Sequence, residues 1–461
     1  MATMATTAQT VPELTGMPLL GSLLDLKNDS LGTFLKARRD LGDVVRITAG
    51  PPGMRGTIHC VFSAEGAQQV LATQAANFRK DNNFYEELRV SFGNGLLTSQ
   101  DDDYLRQRRL VQPLFTRRSV DTYATAIAAE ADRLTGTWRA EGRETADVVH
   151  EMGRLALRAV ARILFGTDVD AAVGIVERCF PVLAGYVTKR GYAPRNIPRE
   201  WPTPGNRKAA AAHEELYAVC DRVIADRRAA GAGDGERDLL TLLMGAGGEE
   251  GSGVEGFDAT ELREQVLVFM LAGHETTATS LAFALHLLGL HPEVQQRVHE
   301  ELDEVLKGRT PGAGDLDALP YLGRVLKEAM RLFPAAPAIG RRAVEATEID
   351  GYLIPAGADV IVAPWVTHRH PRYWDDPERF DPDRFTPEAE AARPRYAWFP
   401  FGGGPRACIG QHFSMLESVI ALAMILQSYE LEAIDTEVPL GSAITLQALG
   451  PARCRLKSRT R

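Results

Sequence analysis

Apolar residues recur at helical spacing over most of this chain of 461 residues. A repeat close to 3.6 residues predicts an α-helix, whereas strict alternation of apolar and polar residues predicts a strand. Helical spacing covers nine segments, which are 59–76, 101–116, 121–140, 145–166, 208–230, 260–290, 293–307, 321–333 and 409–428. The pattern therefore predicts a mainly α-helical protein.

Strand-like runs are fewer and lie beside Gly or Pro turns. They are residues 43–47, 57–62, 346–349, 352–355 and 359–364. Helices and strands do not alternate along the chain, as a doubly wound α/β fold would require. We therefore expect a small antiparallel β region beside the helices.

The remaining composition suggests one domain spanning 1–461, with residues 1–25 as an N-terminal extension and the Gly-rich 231–257 as a flexible surface loop. No apolar run reaches the ~18 residues of a membrane span, and residues 1–25 lack the pattern of a signal peptide. We expect a cytoplasmic monomer without a membrane span. The net charge of −9 argues against a nucleic-acid partner.

The chain has five cysteines, which are Cys60, Cys179, Cys220, Cys408 and Cys454. Their odd number and wide spacing fit neither a disulfide framework nor a zinc site. Cys408 stands apart, because it follows "FGGGPRA" and precedes the helical segment 409–428. The N–H groups and partial positive charge of a helix N-terminus stabilise a thiolate, and Arg406 adds a cation.

Several interpretations of Cys408 stay open on its residues alone. It could be a buried structural cysteine, a metal ligand together with His412, or a nucleophile with a distant histidine. A thiolate beside backbone N–H groups also suits the axial ligand of haem iron, with Arg406 against a propionate. The freedom of glycines 402–404 would let the backbone pass close to such a bulky partner.

Two further segments carry polar residues at helical spacing. In "LKEAMRLFP", Glu328 and Arg331 are three residues apart and can pair on one face. In "FMLAGHETTATS", the Thr276 hydroxyl can bond the carbonyl of Ala272 one turn earlier. Glu275 precedes this threonine, and Gly273 offers a small surface to a flat ligand.

The cysteine segment resembles the haem-binding loop of the cytochrome P450 family. The pattern F-x-x-G-x-R-x-C-x-G is matched at Phe401, Gly404, Arg406, Cys408 and Gly410. The resemblance runs from about Pro12 to Leu456. It implies the P450 fold, with haem b between a long distal helix and the Cys-loop helix and with Cys408 as the axial thiolate.

The resemblance also implies roles for the other two motifs. Glu328 and Arg331 match the structural E-x-x-R motif, whose third member would be Arg379 in "DDPERFDPDRF". "AGHETT" matches the segment over the distal haem face, with Ala272 and Gly273 against the haem. There, Glu275 and Thr276 would form an acid–alcohol pair that supplies protons for the reduction of dioxygen.

The stretch 95–115 resembles the segment of the family that reaches a haem propionate. Arg108 matches the arginine of W-x-x-x-R, and Tyr104 takes the place of the tryptophan. Arg341 aligns with another propionate ligand. The hypothesis for docking an acidic ferredoxin rests on five arginines, which are Arg106, Arg108, Arg109, Arg117 and Arg118.

The implied activity is that of a monooxygenase that inserts one atom of O₂ into a bulky hydrophobic substrate, such as a polyketide macrolide or a terpenoid. Hydroxylation and epoxidation both fit, with electrons from NAD(P)H through a ferredoxin reductase and a ferredoxin. Pocket residues are expected at Phe84, Phe92, Phe269, Ala338, Ile339 and Ala443. A peroxide-dependent haem-thiolate enzyme and a non-catalytic haem sensor or carrier are alternatives, although neither has the same need for Glu275 and Thr276.

Overall fold

The computed structural model describes residues 9–165, 170–193, 195–230, 239–245 and 255–459. Most of these residues are helical, in agreement with the predicted fold class. The α-helices are α1 (Leu23–Leu41), α2 (Ala64–Gln68), α3 (Asn83–Phe92), α4 (Asp101–Val111), α5 (Arg117–Asp121), α6 (Ala124–Ala140), α7 (Val148–Phe165), α8 (Asp170–Gly191), α9 (Pro204–Ala230), α10 (Leu239–Gly245), α11 (Ala259–Leu290), α12 (Pro292–Val305), α13 (Asp315–Ala318), α14 (Pro320–Leu332), α15 (Pro364–Thr367), α16 (Pro387–Ala391) and α17 (Gln411–Ser428).

The strands are short and form one larger and three smaller sheets within the described ranges. They are β1 (Glu13–Leu14), β2 (Val44–Ala49), β3 (Gly56–Val61), β4 (Phe78–Arg79), β5 (Thr145–Asp147), β6 (Ile339–Ala343), β7 (Thr347–Ile349), β8 (Tyr352–Ile354), β9 (Asp359–Val362), β10 (Tyr429–Ala433), β11 (Leu440–Ser442), β12 (Leu446–Ala448) and β13 (Arg453–Ser458).

The largest sheet has the strand order β1-β2-β3-β9-β6-β4. Its β1–β2 and β3–β9 pairs are parallel, and the other pairs are antiparallel. The smaller sheets, β10-β13-β5, β11-β12 and β7-β8, are antiparallel throughout. The β region is thus small, as expected, but its largest sheet is mixed.

Helix α11 carries the motif around Thr276. A capping box begins it, because Asp258 and Glu261 each accept a hydrogen bond from the backbone N–H of the other. The helix packs against α7, α14 and α17, so it is apolar on several sides. It alone among the described helices is long and apolar enough to cross a membrane, but 72% of its apolar window is buried within the protein. It is therefore a core helix.

The helix predicted over 59–76 begins too early. Residues 59–61 belong to strand β3, and only from Ala64 does the chain turn helical, where the Ser63 side chain caps α2. Residues 57–62 fit both patterns, and their pairing with β2 and β9 decides for the strand. The periodicity also does not predict α1, α3 or α8, nor the strands that follow residue 428.

The proposed subdivisions of the chain lie partly outside the described residues. Residues 1–8, 231–238 and 246–254 are not described. Residues 9–25 of the expected extension contribute β1, which pairs with β2, and the first turn of α1. Residues 239–245 of the expected loop form α10, with Leu239, Leu240 and Leu243 buried. The single domain remains a prediction, supported by the contacts of α11 with elements from both halves of the chain.

Candidate active site

A largely apolar cavity of about 460 Å³ lies between α11 and the loop before α17. Its walls include α3, the loop 335–341 and the turn 442–445 between β11 and β12. The volume is in the range of small-molecule and cofactor pockets. Thr276 and Cys408 belong to motifs far apart in sequence, and both line this one cavity.

The glycines before Cys408 are required by the packing of the loop. Gly402 and Gly404 have φ angles of +70° and +64°, in the left-handed region that favours glycine. A Cβ on Gly404 would overlap the carbonyl oxygen of Leu71, and one on Gly403 would overlap the ring of Tyr396. Close approach to the protein's own chain is therefore enough to exclude larger residues at Gly403 and Gly404.

Cys408 lies at the end of this loop. Its N–H donates to the carbonyl of Phe401 over 2.9 Å, and α17 begins at Gln411. The exposed surface of the thiol faces the cavity, which lies inside the protein. Burial raises the pKa of the thiol, while the N–H of Gly410 and the charges of Arg108 and Lys80 oppose that rise. The thiolate form therefore depends on positive partners in the cavity.

Four basic side chains line the cavity near Cys408, namely Lys80, Arg108, Arg341 and Arg406. Burial lowers the pKa of Lys80 well below its ordinary value, and the charges of Arg341 and Arg406 lower it further. Burial likewise lowers the pKa of Arg406 to about 10. Among the described residues, no acidic side chain forms a salt bridge with any of these four basic side chains. This part of the cavity is built for an anion.

Arg406 has a buried guanidinium that is only partly hydrogen-bonded within the protein. Its Nη2 donates to the carbonyl of Ser99 over 2.7 Å, and its guanidinium carbon lies 3.4 Å from the ring centre of Tyr104. Its Nη1 is buried and has no hydrogen-bond partner in the described part of the chain. Since a buried unpaired donor is costly, a carboxylate of a bound group would stabilise it. A cysteine thiol and unpaired cations on one cavity fit haem and its two propionates.

The hydroxyl of Tyr104 has two partners in the protein. It donates to the carbonyl of Pro405 over 2.7 Å and accepts from Nη1 of Arg108 over 2.9 Å. A phenol has one proton, so this arrangement leaves none for a propionate. Tyr104 here orients Arg108 and packs against Arg406, and its contact with a propionate stays a prediction.

On α11, the Thr276 hydroxyl donates to the carbonyl of Ala272 over 2.7 Å, as the spacing predicts. Both residues line the cavity. Gly273 lies between them, and a Cβ there would come within 2.7 Å of Val160 on α7. Its small size therefore serves the packing of α11 against α7, while its backbone still borders the cavity.

Glu275 lines the cavity beside Thr276, but its carboxyl points to another element. Oε2 of Glu275 accepts a hydrogen bond of 2.6 Å from the hydroxyl of Thr445. Burial raises the pKa of Glu275 to about 7, against the lowering effect of the Thr445 hydroxyl. A carboxyl that titrates near neutral pH can both hold and release a proton.

The predicted structural triad is partly wrong. Arg331 makes two hydrogen bonds to Glu328, of 2.6 and 2.8 Å, and both side chains are fully buried. The side chain of Arg379 does not join them, since it is 61% exposed and pairs with Asp381, and only the backbone carbonyl of Arg379 accepts a hydrogen bond from Arg331. The third arginine is Arg384, whose Nε lies 3.5 Å from Oε1 of Glu328.

The reason lies in a repeated sequence. "DDPERFDPDRF" contains Pro-x-Arg-Phe twice, and the pattern alone does not choose between Arg379 and Arg384. The turn at 382–385 packs against α14 and brings the second copy to Glu328. Arg331 also donates to the carbonyls of His368 and Pro377, over 2.9 and 2.7 Å, so the cluster fixes the chain that leads to the cysteine loop.

Lys80 and Thr445 are site residues that the sequence analysis missed. Lys80 donates to the carbonyl of Leu97 over 2.9 Å and is the fourth basic side chain of the cavity. No local pattern marks it, and the contact between Thr445 and Glu275 joins residues far apart in the chain. A periodic pattern reports only neighbours within one element, so it could not find either.

The predicted pocket residues all border the cavity, and they are Phe84, Phe92, Phe269, Ala338, Ile339 and Ala443. Phe180 and Gly191 of α8, and Tyr192 directly after it, border the cavity too. The ring of Phe84 stacks on that of Tyr192, with centres 5.3 Å apart. Aromatic and small side chains therefore share the wall, and their contact with substrate remains a proposal.

The alternative of a Cys408–His412 metal site gains no support. His412 Nε2 lies 3.0 Å from Oδ1 of Asp121. Across the described ranges, no group of three or more His, Cys, Asp or Glu side chains could hold a metal ion. A site with Cys408 as the protein's ligand to haem iron fits better, because haem brings its other ligands with it.

The chain is similar to known proteins over nearly its whole length. The Cytochrome P450 family profile matches residues 11–451. The cyclooctatin synthase of Streptomyces melanosporofaciens is 37% identical over 440 residues, covering 95% of this chain and 93% of its own length. The cyclooctat-9-en-7-ol 5-monooxygenase of the same species is 36% identical over 419 residues, covering 91% and 88%.

A pentalenene oxygenase of Streptomyces avermitilis is 33% identical over 426 residues, which is 92% of each chain. Among solved structures, the heme domain of cytochrome P450DA superposes with a TM-score of 0.86 at 27% identity, covering 98% of each chain. The chain therefore belongs to the cytochrome P450 family. It is a monooxygenase, an oxidoreductase of a family whose members hold haem iron and act on hydrophobic substrates.

Proposed function

We propose that this monooxygenase hydroxylates or epoxidises a cyclic terpenoid. The observation that carries the proposal is the Cys408 thiol and the Glu275–Thr276 pair on one largely apolar cavity. Relatives named for cyclooctat-9-en-7-ol and pentalenene support the terpenoid class over a macrolide. The alanines at 335, 336 and 338 leave room beside the aromatic side chains for a fused ring system.

Haem b would be held by Cys408, with its propionates against Lys80, Arg108, Arg341 and Arg406. When bound, haem supplies the iron at which dioxygen is reduced with two electrons and two protons. Thr276 keeps its hydroxyl on the carbonyl of Ala272, where it can exchange a proton with a bound water. Glu275 supplies a carboxyl whose pKa of about 7 suits proton delivery at neutral pH. The apolar walls exclude bulk water from the reaction.

Electrons would reach the protein from NAD(P)H through a ferredoxin reductase and a ferredoxin. Three of the five arginines in the predicted docking stretch have other contacts. Arg106 pairs with Glu261, Arg117 is exposed but pairs with Asp317, and Arg108 lies at the cavity. Arg109 and Arg118 are exposed and form no salt bridge among the described residues, so we assign the contact with an acidic ferredoxin to this pair.

The docking proposal is tested by charge reversal. The double variant Arg109→Glu/Arg118→Glu should slow the first electron transfer by about tenfold or more at low salt, with the loss shrinking as salt rises. Arg139→Glu on α6 changes the net charge of another exposed position and should leave the rate near wild type. Equal rates in the double variant and wild type would contradict the assignment.

The function itself is tested with the full chain, a ferredoxin system and a panel of cyclic diterpene alcohols, sesquiterpenes and macrolides. A terpenoid should shift the haem spin state, and ¹⁸O₂ should label the product with one oxygen atom. Turnover with peroxide alone would favour the peroxide-dependent enzyme. Reversible binding without any oxidation would favour a sensor or carrier. The cytoplasmic location and the monomeric state remain predictions.

A further inference from the structure

The turn between β11 and β12 connects the cavity to Glu275. Ser442, Ala443 and Ile444 line the cavity, and the N–H of Ala443 donates to the carbonyl of Thr445 over 3.0 Å. The N–H of Leu446 donates to the carbonyl of Ala335 over 2.9 Å, which fastens the turn to another part of the cavity wall. The turn is thus held in place by the backbone on both sides of Thr445.

The side chain of Thr445 is buried and has one polar contact in the described structure. Its hydroxyl donates to Oε2 of Glu275 over 2.6 Å. The hydroxyl of Thr276 is meanwhile occupied by the carbonyl of Ala272. The acid and the alcohol of the proton-supplying pair are therefore not bonded to each other, and Thr445 determines where the acid points.

The surroundings of the carboxyl make this single donor important. Its neighbour His274 is kept neutral, because burial lowers the pKa of that imidazole to about 4. The pKa of the Glu275 carboxyl is not shifted by the ionisable side chains elsewhere on the cavity. These are Lys80, Arg108, Arg341, Arg406 and Asp359. Burial, which favours the neutral acid, is therefore opposed by the Thr445 hydroxyl, which favours the carboxylate.

We propose that Thr445 is a positioning residue for proton delivery, which holds the Glu275 carboxylate at the β11–β12 turn until the carboxyl is needed beside Thr276. The proposal rests on the monooxygenase function proposed above for Glu275. Because Ser442, Ala443 and Ile444 border the same cavity, a substrate that presses on the turn would act on this contact directly. Thr445 lies outside the sequence motifs, so the sequence does not predict this role.

The test compares Thr445→Val, which keeps the shape and removes the donor, with Thr445→Ser, which keeps the donor. The carboxyl stretch of Glu275 is followed by infrared spectroscopy during a pH titration of the resting full-length protein, and Glu275→Gln assigns the band. Thr445→Val should raise the midpoint by about one pH unit, because it removes a hydrogen bond to the charged form. Thr445→Ser should restore the wild-type midpoint.

Thr279 offers a matched control. Its hydroxyl donates to the backbone carbonyl of Glu275 over 2.9 Å and does not touch the carboxyl. Thr279→Val should therefore leave the midpoint unchanged. If Thr445→Val does not fold, Thr445→Ala also removes the hydroxyl donor and leaves a smaller side chain.

A second readout is the fraction of reducing equivalents that appears in product and not in hydrogen peroxide. We expect this fraction to fall severalfold in Thr445→Val and to recover in Thr445→Ser. An unchanged or lowered midpoint in both Thr445→Val and Thr445→Ala would overturn the proposal. The infrared titration needs no substrate, so it stands even if terpenoids prove to be the wrong substrates.

Discussion

The protein uses the same chemistry, an acidic side chain between arginines, in two regions that differ in depth. Beneath the cysteine loop, Glu328 and Arg331 are both fully buried. At the wall formed by α3 and the end of α8, Glu87 bonds Arg190 over 2.8 Å and also pairs with Arg199. Glu87 is 10% exposed and Arg199 is 29% exposed.

The difference in depth gives the two clusters different consequences. A fully buried charge cannot lose its partner without large cost, whereas a charge near solvent is screened by water and salt. The Glu328 cluster therefore fixes the loop that carries Cys408. The Glu87 cluster joins α3 to the segment 190–199, and α3 supplies Phe84 and Phe92 to the cavity. We therefore expect this wall to open more readily than the chain beneath the cysteine loop.

The largest expected effect comes from breaking the buried cluster. Arg331→Met leaves Glu328 without its two main hydrogen bonds and should lower the free energy of unfolding by about 3–5 kcal/mol. Urea unfolding followed by circular dichroism measures the loss. Arg379→Met is the control, because Arg379 is exposed, and it should change the stability by less than about 0.5 kcal/mol. Similar losses in both variants would restore Arg379 to the triad.

A substitution in the cysteine loop should have the next largest effect. Gly404→Ala combines a positive φ with an overlap at the carbonyl of Leu71 and should cost about 2–4 kcal/mol. Gly402→Ala has a similar φ, but its nearest neighbouring atom lies 3.8 Å from the new Cβ. It should therefore cost only about 1–2 kcal/mol. Equal unfolding midpoints for the two variants would show that the overlap with Leu71 is relieved.

Glu275 provides a pH-dependent comparison between the active site and the supporting clusters. Its pKa of about 7 in the folded protein exceeds the ordinary value of about 4.3. The folded state thus binds this proton more tightly, so the contribution to stability is complete below about pH 4 and is lost as pH rises to about 7. Between about pH 5 and pH 8, the free energy of unfolding of Glu275→Gln should rise by about 1–2 kcal/mol relative to wild type. This is less than the full pKa shift would give, because the carboxyl faces the cavity. Urea unfolding of both proteins at several pH values measures this change. A difference in the free energy of unfolding that does not vary with pH would contradict the assignment.

The smallest effect on stability is expected at the α3–α8 wall. Glu87→Gln should lower the free energy of unfolding by about 1 kcal/mol, because the amide oxygen can still accept a hydrogen bond from Arg190 and because Arg199, at 29% exposure, stays in contact with water. Substrate should nevertheless leave the cavity faster, by about threefold or more, and high salt should narrow the difference. Stopped-flow measurement of the spin-state change provides the rate. The neighbouring, exposed Glu86→Gln should match wild type, and an unchanged rate in Glu87→Gln would rule out the role of the cluster in access.

The sequence predicts those parts of the fold in which one element carries its own pattern. Helices α11, α14 and α17 are predicted to within about two residues, because each has a long apolar repeat. The segment 59–76 is misassigned because β3 is defined by its neighbours in the sheet. Helix α8 escapes the pattern in part because Pro181 lies within it.

The candidate site shows the same limit. Cys408, Thr276 and the Thr276–Ala272 hydrogen bond follow from local motifs and helical spacing. Other features of the site depend on how distant elements pack. They are the position of Arg384, and not Arg379, beside Glu328, the basic side chain of Lys80 in the cavity, and the contact of Thr445 with Glu275. Local sequence therefore identifies the reacting groups, whereas tertiary packing decides which residues hold and orient them.

The most direct test of the account is the absorption spectrum of the reduced protein with carbon monoxide. Wild type should show the long-wavelength band of thiolate-ligated haem. Cys408→Ser should lose that band and show the shorter-wavelength band of haem without a thiolate. Cys220→Ala, at a buried cysteine away from the loop, should keep the wild-type band. A folded, haem-containing wild type without the band, or a Cys408→Ser variant that retains it, would contradict the assignment of Cys408 as the iron ligand.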